Sequence, residues 1–254
     1  MTACNSTAWH SPRGDISLYQ GRWEDRLSVL PESYQLITDP PYSKRTAEGQ
    51  RSSGHKTSSA PGYDKTQSKI DYGYITEEDA HALVTMHVDN LKRWIIVFGD
   101  HQSVRWIQEA CTEHGLYDFP PVAWAKTDAA PRFMADGPPP WLERIAVART
   151  RNKLSREEKR HRQGYYLGAS RHKDQVVIGG KPLWLMQAVI RDYSEAGDTI
   201  VDPYAGGAST LLAAAIEGRK AIGFERSSST FAKAVARLER GFTPVLPGLE
   251  ASHG

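Results

Sequence analysis

Residues 199–225 read TIVDPYAGGASTLLAAAIEGRKAIGFE, the pattern of a strand, a turn of small residues, a helix and a second strand. The first strand ends at Asp202, and Gly206 and Gly207 in the turn allow the backbone to approach a ligand closely. The second strand ends at Glu225, where a carboxylate can accept both hydroxyls of a ribose. The two acids are separated by about the twenty residues that a nucleotide-binding βαβ unit needs. These residues predict an α/β fold with a nucleoside site, and the alternative is a structural βαβ unit with a tight glycine turn.

The glycine turn also restricts the kind of ligand. Its GGAST sequence lacks the G-x-G-x-x-G spacing of dinucleotide sites, and no Gly-Lys-Ser/Thr of a P-loop follows. A nucleoside without phosphates therefore fits better than NAD or ATP, and a nicotinamide oxidoreductase is disfavoured.

Apolar runs and helical periodicity alternate along the rest of the chain. We expect strands near 34–37, 94–98, 122–126 and 144–148, and helices over 76–92, 102–114, 182–195 and 229–240. Residues 15–30 read as a short strand, a turn at Gly21 and a helix. In the helix over 76–92, Thr76 and Asp79 form a capping arrangement, and Leu83, His87 and Leu91 share one face. Alternating strands and helices predict a mostly parallel twisted sheet with helices on both faces.

Thr-Asp-Pro-Pro-Tyr, from Thr38 to Tyr42, follows the predicted strand at 34–37. The two prolines end the strand and stiffen the turn. They leave Asp39 and Tyr42 at the carboxyl end of the strand, where ligands bind in open α/β sheets. An acid beside an aromatic ring suits a flat ligand with an amino group, such as a nucleobase. An ordinary strand-to-loop turn is the equally weighted alternative from these residues alone.

Two basic segments flank this predicted core. Residues 43–73 have almost no apolar periodicity and many Ser, Gly, Lys and Thr residues, so we expect a long mobile loop. Residues 149–175 hold nine Lys or Arg, interrupted by Tyr165 and Tyr166. Basic residues interleaved with aromatic residues suit a nucleic acid, and a solvated surface helix is the alternative.

Length and composition set the remaining bounds. A chain of 254 residues is long enough for one sizeable core, so we expect a single domain over 1–254. The net charge of +2 is nearly neutral, and no stretch is apolar enough to span a membrane. Two cysteines and the absence of a signal-peptide pattern favour a reducing, intracellular location, here the cytoplasm. The histidines have no metal-ligand spacing, so no metal site is predicted.

Together these motifs resemble the DNA amino-methyltransferases that use S-adenosylmethionine. DPPY (Asp39 to Tyr42) matches the catalytic motif, DPYAGGAST (Asp202 to Thr210) resembles the cofactor loop, usually DPFxGSGTT, and GFE ends in Glu225 at the ribose position. Gly-Lys-Pro-Leu, at 180–183, resembles the helix start beside the methionine. The catalytic motif precedes the cofactor loop, which is the permuted order of the β class. The resemblance extends from about residue 18 to residue 240.

The resemblance implies a Rossmann-like methyltransferase fold with circularly permuted motifs, S-adenosylmethionine as cofactor and double-stranded DNA as partner. It implies catalytic roles for Asp39, Pro40, Pro41 and Tyr42. It implies cofactor contacts for Lys181, Pro182, Asp202, Pro203, Tyr204, Ala205, Gly206, Gly207, Ser209, Thr210 and Glu225. Residues 149–175 would form a short target-recognition segment. A homodimer and a monomer both stay open, as do a restriction-modification, an orphan and a phage-encoded setting in a bacterial cell.

The chain departs from the family pattern at two places. Gly207 and Ala208 replace the usual Ser-Gly of the cofactor loop, which concerns only the fine contacts of that loop. Arg22 stands where many members have an acid near the cofactor adenine, and an arginine cannot serve that role.

The expected reaction is direct methyl transfer to an exocyclic amino nitrogen. Asp39 and the Pro40 carbonyl would accept the two N–H groups while Tyr42 stacks on the flipped base. An Asp in the first motif position favours N6 of adenine, and N4 of cytosine is the alternative, because many N4 enzymes carry Ser-Pro-Pro-Tyr. A non-catalytic nucleic-acid-binding protein on a degenerate methyltransferase fold is the hypothesis from another class.

Overall fold

In the computed structural model the residues described are 7–52, 73–129, 138–139, 141–156, 158–173 and 175–242. Their strands are β1 (Ala8–His10), β2 (Ile16–Gln20), β3 (Tyr34–Thr38), β4 (Leu91–Gly99), β5 (Tyr117–Asp118), β6 (Val122–Lys126), β7 (Leu142–Arg149), β8 (Tyr165–Gly168), β9 (Thr199–Asp202) and β10 (Lys220–Glu225). Their α-helices are α1 (Lys44–Ser52), α2 (Glu77–His87), α3 (His101–Glu113), α4 (Leu183–Tyr193), α5 (Ser209–Ile216) and α6 (Ser228–Phe242).

The strands of the described residues form one ten-stranded sheet with the order β1-β2-β10-β9-β3-β4-β7-β6-β8, and β5 pairs with β7. Its centre, β2-β10-β9-β3-β4, is parallel throughout. Strands β1 and β7 add antiparallel pairs at either side of this centre, and β8 pairs in parallel with β6. The predicted α/β fold with a mostly parallel sheet is confirmed.

Helices cover both faces of the sheet, as predicted. One face packs on α4, α5 and α6, and the other packs on α2 and α3. Strand β4 shows why its apolar run is continuous: Ile96 and Phe98 belong to the first layer of the core, while Ile95 and Val97 belong to the second. A strand buried on both faces needs apolar side chains at every position.

The connections reverse direction between β3 and β9. From β3 the chain passes through α1 and α2 to β4 on one side, and from β9 it passes through α5 to β10 on the other. Parallel strands end at the same edge of a sheet, so this edge brings together the residues that follow β3 and β4 and those that end β9 and β10. Such a switch point is where open α/β sheets form a ligand crevice.

Several predicted boundaries were wrong. The capping box of α2 is present, with Thr76 and Asp79 exchanging backbone-to-side-chain hydrogen bonds of 3.0 and 3.1 Å, but the helix ends at His87. A 3-10 turn at Val88–Asn90 follows, and Leu91 begins β4 because it pairs with Tyr34. The helix expected before residue 30 is a kinked 3-10 helix, Trp23–Val29.

Residues 44–52 form helix α1, where a loop was predicted. The first turn of α1 is held by Asp100, whose carboxylate accepts a 2.5 Å hydrogen bond from the Ser43 hydroxyl and another from the Thr46 hydroxyl. The rest of the predicted mobile loop, 53–72, lies outside the described residues.

The alternative of a surface helix over residues 149–175 was also wrong. The described part of this segment contains no α-helix, and Tyr165–Gly168 form strand β8. Tyr166 is buried because its strand pairs with β6, where it lies opposite Trp124.

Candidate functional site

Two acidic loops meet at the carboxyl edge of the sheet. Thr38, the last residue of β3, donates a 2.6 Å hydrogen bond from Oγ1 to Oδ1 of Asp202, the last residue of β9. The Tyr204 N–H donates to the same oxygen at 3.1 Å. Thr38 and Asp202 are 0% and 1% exposed, so water cannot replace this bond. The contact joins the DPPY loop directly to the DPYAGG loop.

A cleft of about 560 Å³ opens above these loops. All of the site residues predicted from the sequence line it except Pro182, namely Asp39, Pro40, Pro41, Tyr42, Lys181, Asp202, Pro203, Tyr204, Ala205, Gly206, Gly207, Ser209, Thr210 and Glu225. Pro182 instead precedes the first residue of α4, where its fixed φ suits a helix start. The structure therefore brings the two halves of the predicted site into one cavity, within the size range of small-molecule sites.

Four side chains of alternating charge form a chain that ends at Asp39. Lys126 Nζ lies 2.8 Å from Glu143 Oε2, and Glu143 Oε1 lies 2.9 Å from Lys181 Nζ. Lys181 Nζ then donates to Asp39 Oδ2 at 2.5 Å. The Tyr42 hydroxyl lies 3.4 Å from the same ammonium. Lys181 and Glu143 are each 6% exposed, and a buried charge of this kind requires a partner.

The Asp39 and Glu143 carboxyls, which share Lys181, have pKa values shifted in opposite directions. Burial raises the pKa of Asp39 to about 6, since it outweighs the attraction of Lys181, and the nearby Glu143 charge adds to the rise. Burial also acts on Glu143, but Lys181 and Lys126 outweigh it and lower the pKa of Glu143 to about 2. The two lysines thus favour the ionised form of Glu143, whereas burial favours the protonated form of Asp39.

One oxygen of Asp39 is left as an unused acceptor. Asp39 Oδ1 is buried and has no hydrogen-bond partner among the described residues, whereas Oδ2 binds Lys181. Unpaired buried acceptors are uncommon because they are costly, and they often mark a place for a ligand donor. The Tyr42 side chain lines the cleft next to this carboxylate.

The glycine turn after β9 is packed tightly against the rest of the protein. Gly206 has φ of +50°, and a side chain at Gly207 would lie within 2.8 Å of Val176. Ala208 adopts φ of +59°, a left-handed conformation at the position where the usual family loop has glycine. From α6, the buried Arg237 donates to the Gly207 carbonyl at 2.9 Å and to the Ser209 hydroxyl at 2.7 Å.

The basic segment 149–175 is divided between two ends of the molecule. Arg151 donates to the Gly115 carbonyl after α3, and Arg162 lies over the Trp94 ring near the start of β4. Both contacts are at the amino edge of the sheet, opposite the cleft. Arg171 instead lines the cleft, and its backbone N–H donates a 2.8 Å hydrogen bond to the Asp128 carboxylate. Of these three arginines, only Arg171 is placed beside the predicted catalytic residues.

The family model described as DNA methylase, of the N6/N4 methyltransferase type, matches residues 35–236 of the chain. The chain belongs to this family of DNA methylases. The permuted motif order, DPPY before the cofactor loop, lies entirely within the matched range.

Individual relatives agree with this assignment. The chain is 24% identical over 232 residues to the Type II methyltransferase M2.LlaDCHI of Lactococcus lactis subsp. cremoris, covering 85% of this chain and 86% of the relative. The structure of the M1.HpyAVI–SAM complex superposes with a TM-score of 0.64 at 17% identity, covering 88% of this chain and 98% of the other. The cytosine-N4-specific PvuII DNA methyltransferase superposes with a TM-score of 0.61 at 16% identity, covering 91% and 90%. These likenesses show the same Rossmann-like fold.

This DNA methylase uses S-adenosylmethionine as its methyl donor, as the sequence predicted. The chemistry of the cleft fits that cofactor. Glu225 at the end of β10 is a buried carboxylate that lines the cleft, oriented by a 2.6 Å hydrogen bond from the Ser227 N–H, and carboxylates in this position accept ribose hydroxyls. The turn at Gly206 and Gly207 keeps large side chains out of the same space.

Arg22 stands where many members of the family place an acid near adenine, but the acid Glu24 lines the cleft two residues further on. Arg22 also lines the cleft, with 62% of its side chain exposed, and it pairs with Glu24 at 2.8 Å. The neighbouring Trp23 is buried and lines the cleft. No helix among the described residues is long and apolar enough to cross a membrane, and no cluster of metal-ligating side chains occurs among them.

Sequence reasoning missed four residues that shape this site, namely Thr38, Lys126, Glu143 and Arg237. Lys126 and Glu143 flank a Pro- and Gly-rich connection and are brought together by the antiparallel pairing of β6 with β7. A charged residue at the end of an apolar strand was the available indication for both. Arg237 lies on an amphipathic helix where an arginine ordinarily faces solvent, so nothing local marks it as buried.

Proposed function

We propose that the protein transfers a methyl group from S-adenosylmethionine to the exocyclic N6 of adenine in double-stranded DNA. The observation that carries the proposal is the unpaired Oδ1 of Asp39, a buried hydrogen-bond acceptor on a residue that lines the same cleft as the cofactor turn. An exocyclic amino group offers two N–H donors, and Asp39 Oδ1 with the Pro40 carbonyl supplies two acceptors.

The two acceptors address the main difficulty of the reaction. The lone pair of an exocyclic nitrogen is delocalised into the base ring, which makes the nitrogen a poor nucleophile. Hydrogen bonds from both N–H groups to Asp39 and Pro40 draw the nitrogen towards a geometry in which its lone pair leaves conjugation. When bound, the cofactor supplies an activated methyl group on a sulfonium. The chain then contributes mainly positioning and electrostatics, and no covalent enzyme intermediate is required.

Tyr42 and Lys181 complete the proposed base pocket. Tyr42 presents an aromatic ring on which a base extruded from the duplex can stack. Lys181 keeps Oδ2 of Asp39 engaged and favours the ionised carboxylate, which is the form that accepts two donors.

The choice of adenine depends on the first position of the motif. Asp39 resembles the N6-adenine group, in which this position is an acid, more than the Ser-Pro-Pro-Tyr of many N4-cytosine enzymes. N4 of cytosine is the second candidate, because the PvuII enzyme with the same fold is cytosine-N4-specific. Both reactions need the same pair of acceptors.

A DNA duplex is supported by the charges around the cleft mouth. Arg171 and Arg226 line the cleft, and Lys44 follows the DPPY loop directly at the start of α1. Phosphate contacts from such residues supply most of the sequence-independent affinity for DNA. We assign the target-recognition role to the part of the basic segment nearest Arg171, because Arg151 and Arg162 are bound at the opposite edge.

Methylation of DNA with tritiated S-adenosylmethionine tests this function, with Asp39→Ala as the matched variant. The wild type is expected to label DNA, and D39A is expected to lose at least about 100-fold in rate because the acceptor is gone. Calorimetry should find cofactor binding retained in D39A, since Asp39 is assigned to the target amine. Full activity in D39A would refute the role of this carboxylate.

A further inference from the structure

Glu143 occupies a position in the site that nothing in the sequence motifs assigns. It lies on β7, outside both loops, and is 6% exposed. It pairs with Lys181 at 2.9 Å and with Lys126 at 2.8 Å. A single carboxylate thus contacts the lysine that binds Asp39.

We propose that Glu143 is a positioning residue for methyl transfer: it holds the Lys181 ammonium on one oxygen of Asp39 and so leaves the other oxygen unpaired, as an acceptor for the target amine. The inference rests on the proposed function and extends it. Glu143 does not touch the base or the cofactor in this scheme, and it acts through Lys181.

The geometry explains why a second carboxylate is needed. Lys181 is almost completely buried, so its charge must be balanced by acids within contact distance. With Glu143 present, Lys181 Nζ lies at ion-pair distance from Glu143 Oε1 and donates a hydrogen bond to Asp39 Oδ2. Neither Glu143 Oε1 nor Asp39 Oδ1 has a hydrogen-bond partner among the described residues. Without the charge of Glu143, Asp39 becomes the sole anion for the lysine. The ammonium then moves to bridge both Asp39 oxygens and competes with the target amine.

Among the described residues, the other charged groups around Asp39 do not hold the lysine in this way. From β9, Asp202 raises the pKa of Asp39 by its charge, but it is bonded to Thr38 and to the Tyr204 N–H. Asp100, at the start of α3, acts on Tyr42 and is occupied by its own helix cap. Glu143 is the acid that forms an ion pair with Lys181 alongside Asp39.

The variant Glu143→Gln keeps the size of the side chain and removes its charge. We expect kcat to fall by about 10- to 100-fold, the range of one hydrogen bond to a charged group, while the Kd for S-adenosylmethionine changes by less than about twofold. Removing a negative neighbour also lowers the pKa of Asp39, so the acid limb of the kcat/KM profile shifts to lower pH.

Lys126→Met is the matched control because it removes the opposite charge from the same ion-pair chain. It leaves Glu143 free to hold Lys181, so kcat should fall less, and the acid limb should shift to higher pH. A purely structural role for Glu143 would lower the thermal stability of both E143Q and K126M. It would not shift the acid limbs of their kcat/KM profiles in opposite directions.

Two further measurements keep the test decisive. If E143Q fails to fold with Lys126 unpaired, the double variant E143Q/K126M restores charge balance and should still show the loss in kcat. In a crystal structure of E143Q or of E143Q/K126M, Lys181 Nζ should contact both oxygens of Asp39. An unmoved Lys181 overturns the inference even if the wild type labels no DNA, which would be the separate failure of the proposed function. Wild-type kcat with an unshifted acid limb overturns it as well.

Discussion

The hydrogen bond between Thr38 and Asp202 joins the two halves of the site and can be removed almost without changing shape. Thr38→Val replaces a buried hydroxyl with a methyl group of similar size. The hydroxyl donates at 2.6 Å to a carboxylate that is 1% exposed, and a bond of this kind contributes about 1.5–3 kcal/mol. We therefore expect T38V to lose about 2 kcal/mol of unfolding free energy, which lowers Tm by about 4–8 °C for a chain of this size.

The same change should weaken cofactor binding. Asp202 also accepts from the Tyr204 N–H, so losing its Thr38 partner loosens the turn that leads to Gly206. We expect the Kd for S-adenosylmethionine to rise by about 3- to 10-fold, equivalent to about 1 kcal/mol of loop positioning.

Urea unfolding and calorimetry of T38V beside Thr38→Ser test this reasoning. T38S keeps the hydroxyl and loses one buried methyl group, so it should lose about 1 kcal/mol of stability and bind the cofactor like the wild type. A T38V protein that is as stable as T38S and binds S-adenosylmethionine with wild-type affinity would show that the Thr38 hydroxyl does not join the two loops.

Three further predictions concern charge. Because ionised Asp39 is the acceptor and burial raises its pKa to about 6, kcat/KM should fall as pH drops through about 6, and a flat profile from pH 5 to 8 would contradict this. Arg237→Met removes the donor to the Gly207 carbonyl and should raise the Kd for S-adenosylmethionine about tenfold in calorimetry. An unchanged Kd would mean that the cofactor loop keeps its conformation without Arg237. In DNA-binding titrations, Arg171→Gln should reduce the salt slope by about one and Arg151→Gln should not; equal effects would refute the division of the basic segment.

The fold could be predicted because its main information is local. The strand, glycine turn, helix and strand of residues 199–225 occur where the pattern indicated, and the ends of β3, β9 and β10 meet because parallel strands share an edge. The motif residues themselves, Asp39 and Asp202 among them, could be placed in one cleft for the same reason.

The errors arise where distant contacts override local patterns. Leu91 fits the apolar face of a helix, but pairing with Tyr34 makes it the first residue of β4. Residues 44–52 lack apolar periodicity, yet Asp100 holds their first turn through Ser43 and Thr46.

The charge chain behind Asp39 was hidden for a related reason. Glu143 and Lys181 are separated in sequence, and the fold brings the start of β7 and the residues before α4 together so that the two charged groups lie 2.9 Å apart. The sequence of a basic segment likewise does not indicate which edge of the sheet each side chain lies at. Arg162 lies over the Trp94 ring, while Arg171 lines the cleft.

The central claim is the transfer of a methyl group to adenine N6 in DNA. Its most direct test is to incubate the wild-type protein with double-stranded DNA of mixed sequence and labelled S-adenosylmethionine, digest the DNA to nucleosides and separate them by chromatography. Label in N6-methyldeoxyadenosine is the predicted result. Label in N4-methyldeoxycytidine would contradict the choice of base, and the absence of label in any nucleoside would contradict the proposed activity.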